Sequence, residues 1–423
     1  MRHKAGGHVG VFSCCSANEF VIRAVMRRCG EHGLPALIEA TANQVDQDGG
    51  YTGMTPGRFY AWCHELASQE GFDASDLVLG GDHLGPLTWA RLSEAEAMRN
   101  AETLVRDYVL AGFTKIHIDT SMRLGSDDPS GRLSDAVVAE RGARLCAVAE
   151  DAFAARKIEN PNAVSPVYVI GSEVPIPGGA QEHEEVGVTS SESCLATISA
   201  FREAFDKRGL DGAWGRVIAV VVQPGVEFGE DEVFVYNSGK AKELCQTIKG
   251  EALVFEGHST DYQPRMALWN MVGDGIIILK VGPALTFALR EALFALESIE
   301  RILLRGRGAV LSGFSDVLET VMLEKPANWN RHYHGDGFKQ RVNRAYGFSD
   351  RARYYLQEAP VREAIGRLTG NLRNPVPLPL LSQFLPLQYA RVRDGAISNC
   401  VDDLILDRIG DCVDDYVYAV CGP

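Results

Sequence analysis

The chain of 423 residues is long enough for one large barrel with additions, so its length does not require two domains. Hydrophobic residues make up 46% and charged residues 23%, a balance that excludes a disordered or fibrous chain. Acidic residues outnumber basic ones 56 to 42, for a net charge of -14, and no basic block is present to neutralise a phosphate backbone, so nucleic acid is not an expected partner.

Short apolar or β-branched runs at 8–13, 35–40, 77–82, 115–119, 166–173, 216–223, 252–256 and 275–281 predict eight strands. Between them, apolar residues recur at helical spacing over 17–31, 55–70, 93–111, 134–155, 189–207 and 284–304, and Ser93 with Glu96 predicts a capping box at the third of these. A strand-then-helix order repeated eight times implies parallel strands joined by crossover helices. The expected fold is α/β, a (β/α)8 TIM barrel over 1–305; a doubly wound open sheet is the alternative with the same element order. After 305 the alternation stops, and 306–423 reads as a helical extension packed on the barrel. It carries Tyr and Arg at 351–355 and a Pro-rich turn at 374–379, and suits a lid or an oligomer contact. A homo-oligomer is expected. No stretch reaches transmembrane length, the first ten residues lack an apolar signal core, and the ten cysteines are scattered without a CxxC pair. A cytoplasmic address, reduced thiols and no membrane partner follow as expectations.

The predicted strands end in groups that are costly to bury alone: Ser13, Glu39, Asp82 with His83, Asp119, Glu173, Gln223, His258 just past the seventh run, and Lys280. In a barrel these C-terminal ends converge on one mouth, where the fold builds its active sites. Taken singly, each could merely cap a helix or pair with a neighbour. In Leu79-Gly-Gly-Asp-His-Leu-Gly-Pro86 the adjacent Asp82 and His83 join a proton-transfer group to a metal-type ligand. His83, Glu173 and His258 offer two nitrogens and one oxygen to a divalent cation, zinc first, with manganese, cobalt or magnesium as alternatives. Water, substrate or Glu256 could complete the shell. Asp119 and Glu173 join Asp82 as carboxylates for catalysis, and Glu39, Asn43, Gln44 and Gln223 are candidate substrate contacts. A phosphate is placed against Ser259, Thr260, Lys280 and the backbone near Gly282, with Arg351 and Arg353 in reserve under a C-terminal lid. No GxxxxGK[ST] run is present, so a P-loop kinase has no support.

Ile38-Glu-Ala-Thr-Ala-Asn-Gln-Val45, Gly49-Gly-Tyr-Thr-Gly-Met-Thr-Pro56, Gly80-Gly-Asp-His-Leu-Gly-Pro86, Val220-Val-Val-Gln-Pro-Gly-Val-Glu-Phe228, His258-Ser-Thr-Asp-Tyr-Gln263 and Ser349-Asp-Arg-Ala-Arg-Tyr-Tyr355 span almost the whole chain. On these blocks the sequence closely resembles the GatZ/KbaZ family. The resemblance implies a place in galactitol and tagatose catabolism, a sugar-phosphate substrate, and either an epimerase-type activity on tagatose 6-phosphate or an accessory role beside a class II tagatose-1,6-bisphosphate aldolase subunit. A tagatose-6-phosphate kinase label also attaches to the family. The family is distantly similar to class II aldolases, whose Asp-His pair supplies an acid/base and a zinc ligand; Asp82 and His83 match that pair, and His258 matches a later zinc histidine. At the sixth strand this chain has Gln223-Pro224-Gly225 where the aldolases carry another zinc histidine, which counts against full aldolase activity.

Overall fold

The computed structural model describes residues 3–129, 132–172 and 186–422. Its centre is a closed barrel of eight parallel strands: β1 (Val11–Cys14), β2 (Ala36–Thr41), β3 (Leu77–Leu84), β4 (Lys115–Ile118), β5 (Val167–Ile170), β6 (Val217–Val222), β7 (Val254–Gly257) and β8 (Ile276–Val281). Neighbours in the barrel are neighbours in sequence, and β8 closes on β1 with Val11 opposite Ile278 and Ser13 opposite Lys280. This is the TIM barrel expected, with every predicted run forming its strand. The open-sheet alternative is excluded by that closure.

Each strand is followed by a helix: α1 (Glu19–Glu31), α2 (Pro56–Glu70), α3 (Glu94–Ala111), α4 (Asp135–Glu159), α5 (Ser191–Lys207), α6 (Ser238–Thr247), α7 (Arg265–Asp274) and α8 (Pro283–Leu304). Pro at the first position of α2 and α8 has the backbone angle a helix start requires and no amide left unbonded. The predicted capping box of α3 is half formed: the Glu96 carboxylate reaches back to the Ser93 backbone, while the Ser93 hydroxyl donates to that carboxylate at 2.6 Å instead of accepting from an amide. Between β6 and α6 the loop carries a small antiparallel pair, Glu227–Phe228 with Val233–Phe234.

The helices after α8 are α9 (Phe314–Glu324), α10 (Gly337–Tyr346), α11 (Ala359–Asn371), α12 (Leu378–Phe384), α13 (Pro386–Arg393) and α14 (Val401–Cys421). The last of them packs against α1, α7 and α8, so the chain end returns to the barrel wall. No described helix is long and apolar enough to cross a membrane.

The barrel interior is layered because side chains along a strand alternate between its two faces. Val169, Ala219, Val221 and Ile278 form an apolar floor. One step up, along β2, β4, β7 and β8, the inward positions are Glu39, Lys115, Glu256 and Lys280, all buried. Above these sit Asp82, His83, His117 and His258.

Candidate active site

The charged layer supports the site from below. The Lys115 ammonium lies 2.8 Å from Glu39 and 2.7 Å from Glu256, and that of Lys280 lies 2.7 Å from Glu39, 2.8 Å from Asp82 and 3.7 Å from Glu256. The Ser13 hydroxyl donates to Glu39 at 2.6 Å. Buried charges persist only when paired, and here three carboxylates share two ammonium groups. The two lysines balance Glu39 and Glu256, so the third carboxylate, Asp82, brings one negative charge in excess to the level of the imidazoles. Glu39 is fully buried in this layer, so its expected role as a substrate contact is corrected to structural support.

Adjacent residues on a regular strand face opposite ways, yet both Asp82 and His83 point inward. The cause is a β-bulge. Gly81 pairs with Ile116 and Leu84 with Ile118, so that Asp82 and His83 together stand opposite His117, and His83 takes a left-handed φ of 49°. Gly80 and Gly81 make room for it: a Cβ on Gly80 would lie 2.7 Å from the Glu39 side chain, and one on Gly81 would lie 2.5 Å from that of Leu84.

Asp82, His83, His117 and His258, all buried, bring one ligand atom each to within 4.8 Å of one another. Sequence reasoning named three of them and missed His117. A signal existed, since Lys115, His117 and Asp119 occupy alternate positions along the predicted run 115–119 and therefore point to one face. The ring nitrogens are sorted by their partners. His83 Nδ1 lies 2.8 Å from Asp119, and His258 Nε2 lies 3.0 Å from Glu256. His117 Nδ1 meets both the Asp82 carboxylate at 2.8 Å and the His83 amide at 3.1 Å. The shorter, charged contact favours the proton on that nitrogen, which leaves the buried His117 Nε2 with a bare lone pair and no hydrogen-bond partner among the described residues. An orphaned imidazole nitrogen among two further imidazoles and a carboxylate is the donor set a zinc-type cation takes.

Burial lowers the His258 pKa to about 4, helped by the neighbouring His83, so this ring is neutral and able to bind a cation at pH 7. For His83 burial works the same way, but the charges of Asp82 and Asp119 prevail and raise its pKa. Burial alone would raise the Asp82 carboxyl; Lys280, His83 and His117 outweigh it and hold the group well below the usual carboxylate range. Asp119 is held at about 2 against burial by His83 and His117, with Ser121 adding a hydrogen bond. Its carboxylate accepts from the Ser121 amide and hydroxyl at 3.0 and 2.7 Å, so it stands behind His83 and orients that ring. The expected catalytic role of Asp119 is corrected accordingly to that of a positioning residue.

The mouth cavity is lined by Asn43, Gln44, Asp82, His83, His258, Ser259, Lys280 and Gly282 among the expected residues, and by Tyr51, Asp261 and Tyr354, which were not anticipated. Arg353, held in reserve at first, lines it as well. Three expected contacts fall elsewhere or are already engaged. Gln223 Oε1 accepts from the amides of Gly225 and Val226 at 2.9 and 3.0 Å and closes its own turn. The Thr260 hydroxyl is buried, donating to the Lys280 carbonyl at 2.7 Å. The Gly282 amide, expected at a phosphate, donates to Asp261 at 3.0 Å, as does that of Ala284 at 2.8 Å. Glu173 lies outside the described residues.

A family model described as D-tagatose-1,6-bisphosphate aldolase subunit GatZ/KbaZ-like matches residues 1–421. Among solved structures, a crystal structure described as a probable tagatose 6 phosphate kinase from Sinorhizobium meliloti 1021 is 43% identical, with a TM-score of 0.87, and the match covers 97% of this chain and 100% of that one. Fructose-bisphosphate aldolase from Campylobacter jejuni is 13% identical at a TM-score of 0.40, over 95% of this chain and 92% of that one. The YdjI aldolase from Escherichia coli K12 is 12% identical at a TM-score of 0.39, over 87% and 94%. With a family match along nearly its whole length and a relative this similar in both sequence and structure, the chain belongs to the GatZ/KbaZ-like family of D-tagatose-1,6-bisphosphate aldolase subunits.

Proposed function

We propose that the chain is a divalent-metal-dependent ketose-phosphate enzyme that inverts C4 of tagatose 6-phosphate, giving fructose 6-phosphate by retro-aldol cleavage and re-addition. The observation that carries this reading is the cluster of His83, His117, His258 and Asp82 at the barrel mouth, where Asp82 adds a negative charge above a layer of balanced ion pairs. The three histidines would hold the cation, and when bound it would polarise the C2 carbonyl and offset negative charge that develops on the neighbouring oxygen. Three imidazoles favour zinc over magnesium.

Inversion at C4 cannot proceed by removing the C4 hydrogen, which is not α to the carbonyl. It requires the O4 proton to leave, the C3–C4 bond to break, the resulting aldehyde to present its other face, and the bond to re-form with return of a proton to O4. Asp82 is the carboxylate placed to take and return that proton. While paired with Lys280 it is a weak base, because its pKa is far below the working range. Substrate must therefore draw the Asp82–Lys280 pair apart, which raises the Asp82 pKa and turns the residue into a base.

A second reading, an accessory subunit of a two-subunit aldolase, is favoured by the family's own description as a subunit. The kinase description carried by the Sinorhizobium meliloti relative has no P-loop to support it in this sequence. One experiment separates the first two readings. The purified chain, supplied with zinc, manganese, cobalt or magnesium, is expected to interconvert tagatose 6-phosphate and fructose 6-phosphate unaided. Asp82→Asn, which keeps size but cannot take a proton, should lose ~10² to 10⁴-fold in rate while remaining folded. If wild type turns over neither sugar phosphate while wild type and Asp82→Asn activate a partner aldolase equally, the accessory reading stands and the epimerase reading is wrong.

A further inference from the structure

The chain's net charge of -14 repels anions at long range, so a phosphate monoester needs a local cation that is not already neutralised. Two obvious sites at the mouth are taken. Lys280 is shared among Glu39, Asp82 and Glu256. The first amides of α8, where a helix N-terminus would ordinarily receive phosphate, are capped by the Asp261 carboxylate.

Arg353 differs from both. It sits in the turn Arg351–Tyr354, between α10 and α11, and lines the mouth cavity together with an adjoining cleft beside Cys15 and Asn18. Its Nη1 donates to the carbonyls of Ser349 and Asp350 at 2.5 and 2.9 Å, and its Nη2 donates to the Tyr354 hydroxyl at 3.0 Å. A guanidinium has five N–H donors, and these three bonds leave the Nε donor and one Nη2 donor without a partner among the described residues. No carboxylate of the described residues forms a salt bridge with it. Asp350, its sequence neighbour, directs its carboxylate to Thr286 at 2.5 Å and Arg290 at 3.1 Å. Asp261 feels the Arg353 charge but is bonded to the two amides instead, and burial outweighs these influences and pushes its pKa up to about 6. The Tyr354 ring stacks under the guanidinium at 4.5 Å and meets Tyr51 edge-on at 5.1 Å, which ties the turn to the barrel loop across the mouth.

We propose that Arg353, supplied by the helical extension, is the residue that recognises the substrate's phosphate, so that specificity for a phosphorylated over a free ketose resides outside the barrel. This rests on the site described under Proposed function being the sugar-phosphate site. The two open donors present the paired N–H geometry that phosphate oxygens accept. The phosphate end lies at Arg353 and the sugar extends across the same cavity toward His83 and His258.

The test is calorimetric titration of the zinc-loaded chain with tagatose 6-phosphate, with tagatose and with inorganic phosphate, for wild type, Arg353→Gln and Arg353→Lys. Wild type should bind the phosphorylated ketose about tenfold or more tightly than the free one, and Arg353→Gln should lose that margin with tagatose affinity unchanged. Arg353→Lys keeps a charge without the fork and should retain part of the margin; it also serves if the Gln variant fails to fold because the bonds to Ser349 and Asp350 are gone. A folded Gln variant, or failing that a Lys variant, with the full wild-type preference overturns the proposal. Binding needs no turnover: an inactive wild type whose phosphate preference depends on Arg353 removes only the epimerase reading. An active one whose preference survives the substitutions removes only the role of Arg353.

Discussion

Asp261 accepts the amide hydrogens of Gly282 and Ala284, and a carboxylate so placed is ordinarily favoured in its charged form. Burial is the larger influence here and pushes its pKa from 3.8 up to about 6. Because the folded chain then holds this proton more tightly than the unfolded one, the group adds stability that is fully present below pH 3.8 and lost as pH rises through about 6. Asp261→Asn retains an acceptor and carries no charge, so the fall in stability between those values should flatten in urea unfolding curves; an unchanged slope would assign it to another group. No strand-end argument reaches Asp261, which lies in the loop after His258, and its partners are amides at the start of α8. His117 was closer to legible. The chemistry of a histidine and its alternation with Lys115 and Asp119 were present in the sequence, but attention to strand ends passes over a residue one step inside the strand. Glu39 failed the opposite way: its position at the end of a predicted run was right, and only the partners Ser13, Lys115 and Lys280, distant in sequence, reveal that it faces the layer below the site.

The bulge in β3 does at the level of the element what no single side chain can. It turns two adjacent residues to one face, and it needs the following loop to lie close against β4. Gly85 meets that need, because a Cβ there would fall 1.7 Å from the Asp119 carbonyl oxygen, which is backbone and cannot swing aside. Gly85→Ala should therefore cost about 1–3 kcal/mol or more, lowering the melting temperature. It should also weaken zinc binding by shifting Asp119 off His83. Gly366→Ala in α11 is the matched control, since nothing lies within 4 Å of the added carbon, and it should stabilise the helix by roughly 0.5–1 kcal/mol. Equal melting temperatures for the two variants would show that the β3–β4 contact is slack. The strands themselves were legible because fully buried parallel strands read as short apolar runs between helical patterns. The bulge was not: Asp82-His83 says that two functional groups adjoin, but whether a bulge or a loop turns both inward depends on pairing with β4, to which sequence spacing gives no register.

At the scale of the whole molecule, the barrel gathers groups from every part of the chain into a stack whose charge changes with height: apolar floor, paired lysines and carboxylates in balance, then imidazoles with the surplus charge of Asp82 among them. The extension after α8 closes that stack. Tyr416 of α14 donates to the Thr260 carbonyl at 2.8 Å, and Arg353 and Tyr354 reach the cavity from the turn before α11. Helical character after residue 305 could be read from the sequence, whereas the identity of the residues reaching the mouth depends on how the extension folds back. A cation in this stack would bind the folded chain and not the dispersed ligands of the unfolded one, so it must stabilise the fold by mass action, by about 2.7 kcal/mol at a hundredfold excess over its dissociation constant. Chelator-treated protein should consequently melt a few degrees lower than protein returned to zinc. Magnesium at the same concentration should restore less of the difference, since imidazole nitrogens discriminate against it. His117→Ala removes the orphaned Nε2 and should abolish the zinc-dependent shift. The same variant titrated with zinc under a competing chelator should bind more than ~100-fold more weakly, beyond the roughly 10–100-fold that loss of a merely supporting partner costs. Identical melting of chelated and zinc-loaded wild type, or an undiminished zinc shift in His117→Ala, would mean that the surplus charge is met by protonated imidazole and that the three histidines are not a metal centre.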